Sequence, residues 1–158
     1  MFGDDVNTDL IIPGRYLSKY DAAHLAEHAM EGLSSTFAKE VTRGDIIVAG
    51  RNFGCGSSRE QAVIALKSAG VSAVVARSFA RIFYRNAVNL GLPVLVSADA
   101  HAVFEDGDSA GADLGALALV SSDASKRAGI EAVPEHVAAI LGSGGLVPHL
   151  RSRMEKDQ

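Results

Sequence analysis

Three short β-rich runs separated by two helical ones set the strongest limit on how this chain folds. Asp45-Ile46-Ile47-Val48-Ala49-Gly50 is a β-branched run bounded by Gly44 and Gly50, which predicts a buried strand. From Ser58 to Ala69 the apolar residues fall at Ala62, Val63, Ala65, Leu66 and Ala69, the spacing of one helix face, with Gly70 as a natural stop. Ser72 to Ala76 predicts a second buried strand. Ser78 is placed to cap a second helix, on which Phe79, Ile82, Phe83, Ala87 and Leu90 share a face before Gly91 and Pro93 end it. Leu92 to Ser97 predicts a third strand. Strand, helix, strand, helix, strand implies parallel pairing through right-handed crossovers.

The flanks are less regular. Leu10-Ile11-Ile12-Pro13-Gly14 predicts a short strand entering a turn, and Asp21 to Met30 a short helix. Asp106-Gly107-Asp108 and the run from Leu114 to Val120 predict a β-hairpin. Pro134 to Leu141, with Pro in the first turn and Gly142 after it, predicts a last helix. No repeat, low-complexity tract or linker interrupts the 158 residues, so residues 1–158 read as one α/β domain. A net charge of −4 argues against nucleic-acid binding. No apolar run approaches the roughly 20 residues that span a bilayer, and MFGDDVNTD has no apolar signal-peptide core. A single cysteine allows no internal disulfide and no thiolate-built metal cluster, and it points to a reducing, cytoplasmic compartment.

The chemistry concentrates in Asn52-Phe53-Gly54-Cys55-Gly56-Ser57-Ser58-Arg59-Glu60-Gln61-Ala62, between the first strand and the first helix. Ser57 with Glu60, and Ser58 with Gln61, both fit a capping box, which is the bland reading. Gly54 and Gly56 let the backbone approach a bound group, the helix start directs N–H groups at one point, and Arg59 adds a fork suited to a carboxylate or phosphate. That combination describes an anion site with a hydroxyl. The dinucleotide fingerprint, the Walker A loop and the nucleophile elbow all fail to match. Cys55 is a candidate nucleophile near a helix start, or a small residue filling a tight loop.

Three other groups draw notice. Asp5, Asn7 and Asp9 begin like a calcium loop, but Leu10 and Tyr16 stand where Gly and Glu are required, which leaves a turn or polar groups aimed at a site. His24-Leu25-Ala26-Glu27-His28 matches the H-x-x-E-H zinc-peptidase pattern, yet the sequence points to no third ligand, so a solvated helix face is expected and no metal ligand. Arg77, Arg81 and Arg85 recur every four residues, as cationic lining of a site or as partners of surface acids.

Together the blocks FGDDVNTDLIIPGRYL (Phe2–Leu17), GDIIVAGRNFGCGSSREQA (Gly44–Ala62) and ARSFARIFYRNAVNLGLPVL (Ala76–Leu95) resemble the small subunit, or swivel domain, of the aconitase superfamily hydro-lyases. A weaker echo is ILGSGGLVPHLRSR (Ile140–Arg153), so the likeness runs over nearly the whole chain. It is strongest to 3-isopropylmalate dehydratase small subunits of leucine biosynthesis and nearly as strong to homoaconitase small subunits. Other 2-hydroxyacid dehydratases of the citramalate or dimethylmalate type follow. The resemblance implies a swivelling β/β/α domain, a mixed sheet or small barrel flanked by helices. It implies a 4Fe–4S cluster on a separate large subunit, with the substrate hydroxyl and a carboxylate on its open iron, and a hydroxy di- or tricarboxylic acid as substrate. On this chain it implies Ser57 as the base, in alkoxide form, and Arg59 as the carboxylate ligand. Ser58 and the backbone of Cys55 and Gly56 would assist. Ser18, Lys19 and Tyr20 fall in the segment that meets the substrate's variable group. Homoaconitase-like chains tend to carry Arg at the position of Ser18 and isopropylmalate-specific ones an apolar residue; here Lys19 is a candidate for an extra carboxylate and Tyr20 for an isopropyl group. Relatives have an initial strand ahead of the first motif, where this chain begins. The rival readings are a small-anion binding module without chemistry and, more remotely, a zinc peptidase through His24 and His28.

Overall fold

A computed structural model describes residues 1–156. In chain order its elements are α1 (Thr8–Ile11), a 3-10 turn (Gly14–Tyr16), α2 (Ala22–Glu27), α3 (Phe37–Glu40), β1 (Ile46–Ala49), α4 (Glu60–Ala69), β2 (Ala73–Ala76), α5 (Arg81–Leu90), β3 (Val94–Val96), α6 (Ala100–Val103), β4 (Ala110–Asp113), β5 (Ala118–Ser121), β6 (Arg127–Gly129), α7 (Glu135–Gly142) and α8 (Leu146–Lys156).

The three predicted strands pair in parallel in the order β1-β2-β3, with Val48 opposite Val75 and Val75 opposite Leu95. Successive side chains alternate between two cores. Ile47, Ala49, Val74, Ala76 and Val94 join the core with Ala62, Val63 and Leu66 of α4 and Phe83 and Ala87 of α5. Val48, Val75 and Leu95 face the other way, onto Ala100, Phe104, Leu119 and Ala128. Burial on both faces explains why these strands read as continuous apolar runs. The second face is covered by a separate antiparallel sheet, β4-β5-β6, and by α6. The layers are therefore helices, parallel sheet, antiparallel sheet. The expected β/β/α architecture holds, but its sheet part is two small sheets, with no closed barrel and no single mixed sheet among the described residues.

Several local expectations are corrected. Leu10 to Gly14 is not a strand: Thr8–Ile11 is helical, because the Asn7 side chain accepts the Leu10 N–H at 3.0 Å and caps the turn. Ser78 does not cap α5; Ala80 stands at that position, and the Ser78 hydroxyl instead accepts the Asn52 N–H at 2.8 Å. Gly142 is the last residue of α7, and Ser143 stands at its C-cap. The hairpin begins at Ala110 and gains a third strand, while Leu114 sits in an exposed turn. No helix among the described residues is long and apolar enough to cross a membrane.

Candidate active site

The chain leaves β1 and enters α4 through the glycine-rich loop. Its inner side is fixed by packing: Gly54 is buried against the Phe83 ring at φ +80°, where a side chain would overlap that ring. Phe53, also buried, donates its N–H to Ser78 O at 3.0 Å and accepts the Ala80 N–H at 2.9 Å, which ties the loop to the start of α5.

The outer side is held by the acidic N-terminal segment. Asp4 Oδ1 accepts the Arg51 N–H at 2.7 Å, and Asp5 Oδ1 accepts the Asn52 side-chain amide at 2.8 Å. Val6 O accepts the Gly54 N–H at 2.7 Å. Thr8, only 2% exposed, donates its N–H to Cys55 O at 2.8 Å and its hydroxyl to Ser57 O at 3.1 Å. Asp9 forms an ion pair with Arg59, whose Nη1 also reaches Ile12 O at 3.5 Å. The turn and the site were alternatives in the sequence; this segment does both. Asn7 makes a cap, and its neighbours strap the loop. Sequence reasoning named Asp9 only as one of the polar groups that a turn or a site could use and gave Thr8 no role, and the density of short polar residues in DDVNTD was the signal that could have placed both.

What the straps leave outside is the predicted set. Gly56, Ser57 and Ser58 are exposed, and Cys55 and Arg59 are half-buried. The capping-box expectation fails here. α4 starts at Glu60 with Arg59 in the N-cap position, and no side chain caps it. Neither serine hydroxyl is spent on capping the helix. Tyr20 is brought to this point because its hydroxyl donates to the Glu60 carboxylate, an interaction that pushes the phenol up to about 12. Ser18 and Lys19 lie exposed on the approach to Tyr20, with no side-chain partner among the described residues. An exposed hydroxyl, helix N–H groups and a guanidinium already paired with one carboxylate are suited to binding an anion and, with the hydroxyl ionised, to removing a proton.

The three arginines on and before α5 converge as well. Arg77, Arg81 and Arg85 line a cleft of about 440 Å³ with Phe79 and Tyr84, and the buried Arg77 Nε has no partner. None of the three forms an ion pair among the described residues, so the surface-pairing alternative is not what the structure contains. His24 and His28 lie at α2 and its C-terminal cap.

A family model described as the aconitase C-terminal domain matches residues 5–99, which include the N-terminal straps from Asp5 onward, the loop, α4 and α5. The 3-isopropylmalate dehydratase small subunit 1 of Methanopyrus kandleri is 52% identical over 147 residues, 93% of this chain and 86% of that protein. The methanogen homoaconitase small subunit of Methanothermobacter thermautotrophicus is 53% identical over 149 residues, 94% of this chain and 85% of that one. A crystal structure of a protein named 3-isopropylmalate dehydratase from Methanocaldococcus jannaschii superposes with a TM-score of 0.93 at 49% identity, covering 99% of this chain and 92% of that one. The chain belongs to the aconitase C-terminal domain family, in its swivel-domain branch of dehydratase small subunits.

Proposed function

We propose that this chain is the small subunit of a hydro-lyase of the 3-isopropylmalate dehydratase type. The reaction interconverts 2-isopropylmalate and 3-isopropylmalate through isopropylmaleate, in leucine biosynthesis and in the cytoplasm. Ser57, as the alkoxide, takes the proton from the carbon beside a carboxylate; the hydroxyl leaves from the adjacent carbon, and water is returned with the positions exchanged. No redox change occurs. Arg59 binds a substrate carboxylate with the donors that Asp9 leaves over, and Ser58 and the Cys55–Gly56 backbone complete the anion site.

The observation that carries this reading is that Ser57 and Ser58 are exposed beside a helix start they do not cap. Serine hydroxyls with no capping task, beside a helix start and a guanidinium, are where an alkoxide is stabilised. The donor set of the chain does not fit an iron–sulfur cluster, since Cys55 is its one cysteine. We therefore assign the 4Fe–4S cluster to a large-subunit partner and expect the isolated chain to be inactive. Homoaconitase is the second reading, favoured by the cationic Lys19 in the segment that leads to Tyr20.

The test is co-expression with the large subunit and assay on isopropylmalate, homocitrate or homoaconitate, and citraconate. Ser57→Ala is expected to lower turnover by at least about 10²–10³-fold while the two subunits still co-purify. Turnover retained in that variant moves the base to another residue.

A further inference from the structure

His24 and His28 take no part in the reaction proposed above, yet their surroundings are built. Both are half-buried. The His28 ring stacks on Tyr16, with centroids 3.6 Å apart and planes 6° from parallel. The His24 ring stands edge-on to Tyr16 at 5.9 Å and to His28 at 5.0 Å. His28 Nδ1 lies 2.7 Å from Glu31 Oε2. The other oxygen of Glu31 accepts the Tyr16 hydroxyl at 2.8 Å and pairs with Arg15. One potential ligating atom each of His24, Glu27 and His28 lie within 4.8 Å of one another.

We propose that His24, Glu27 and His28 form a site for a divalent d-block cation of the Zn²⁺ class. Two imidazoles and one carboxylate suit such an ion, whereas calcium and magnesium take oxygen donors throughout. Histidines that bind metals commonly donate their second ring N–H to a carboxylate, which fixes the tautomer and the ring orientation. Glu31 stands in that relation to His28 and leaves its Nε2 as the free lone pair. Stacking on Tyr16 has already fixed the His28 ring, so little side-chain freedom remains to be lost on binding. Charge agrees: Glu27 and Glu31 outnumber Arg15. In the H-x-x-E-H peptidase pattern the glutamate is the base, whereas here it is the third ligand; the site binds metal and brings no hydrolysis. It also joins α2 to the Gly14–Tyr16 turn, from which the chain runs into Ser18, Lys19 and Tyr20.

The experiment titrates Zn²⁺ into the metal-stripped full-length chain by calorimetry against a competing chelator, with Co²⁺ absorption as a second readout. One equivalent is expected to bind. His24→Gln and His28→Gln each weaken it at least about 10-fold, and Glu31→Gln weakens it about 10–100-fold at unchanged stoichiometry. His149→Gln, remote in sequence and bonded to Ser143, leaves it unchanged. His28→Gln breaks the Tyr16 stack, so if it misfolds the decision rests on His24→Gln, whose ring makes edge contacts only. Absence of stoichiometric binding, or wild-type affinity in His24→Gln, overturns the site. Wild-type affinity in Glu31→Gln reduces it to an ordinary pair of surface histidines and overturns it equally.

Discussion

Gly54 and Gly56 sit two residues apart in one loop at similar backbone angles, φ +80° and +92°, yet alanine should act on them through different physics. A methyl at Gly54 would lie 2.1 Å from Phe83 Cγ and 2.4 Å from its Cβ. Those atoms form the root of a ring that is 2% exposed and clamped edge-on by Phe53 at 5.3 Å, so no flexible end can give way. Overpacking of this kind costs about 1–3 kcal/mol, and the left-handed backbone adds about 1–2 kcal/mol for a residue with a Cβ. Gly54→Ala is therefore expected to lose about 2–5 kcal/mol, a large share of the 5–15 kcal/mol or so that a domain has. At Gly56 the nearest atoms are Thr8 Oγ1 at 3.5 Å and Asn7 Cβ at 3.6 Å, ordinary contacts. Only the backbone term of about 1–2 kcal/mol remains there. Urea unfolding of the isolated chain at constant m measures both. The activity of the assembled enzyme should rank them the other way: at Gly56 the strained backbone directly precedes Ser57, so turnover falls further than stability. Equal stability losses in the two variants would refute the assignment of Gly54 to packing and Gly56 to the site.

The remaining predictions concern charge. Arg59→Lys replaces a bidentate fork with a point charge and should raise KM for the dicarboxylate by about 10-fold or more, read in steady-state kinetics of the assembled enzyme; unchanged kinetics would remove Arg59 from carboxylate binding. Exchanging Ser18 for Arg, or Lys19 for Leu, should change the ratio of kcat/KM between isopropylmalate and homoaconitate more than either kcat, as competition assays would show. Glu31 has a folded pKa of about 2 against an ordinary 4.5, so its contribution to stability is complete above about pH 4.5 and is lost as pH falls towards 2. Thermal unfolding of Glu31→Gln should lack that part of the acid dependence; an unaltered profile would mean that Tyr16 and His28 do not hold the carboxylate in solution.

The parallel sheet was legible because two independent signals agreed at each element. The apolar period set the type, and Gly70 and Gly91, both in left-handed conformation, set the ends. Where the signals conflicted, the reading failed. Leu10-Ile11-Ile12 has strand propensity, but the Asn7 cap one turn earlier decided for a helix. The straps were invisible for another reason. They join residues 47 to 50 positions apart, as in Asp5 to Asn52, Thr8 to Ser57 and Asp9 to Arg59, and no local period encodes such pairs. The aromatic box around His28 escaped likewise, since Tyr16, His28 and Glu31 meet only through the turn between the 3-10 segment and α2.

The straps also explain how the loop can give up its serines. A helix start ordinarily needs a capping side chain, and the sequence offers Ser57 and Ser58 for that task. The structure anchors the loop by other means: Thr8 holds the Cys55 and Ser57 carbonyls, and Asp9 and Ile12 O hold the Arg59 side chain. With position secured through the backbone and through Arg59, the exposed Ser57 and Ser58 hydroxyls are left without a capping task. The Asp9 carboxylate occupies one edge of the same guanidinium that a substrate carboxylate would use, so it keeps Arg59 oriented and half-buried before any ligand arrives. A fixed guanidinium loses little freedom on binding, which is the condition for spending its interaction on the reacting anion rather than on ordering the site.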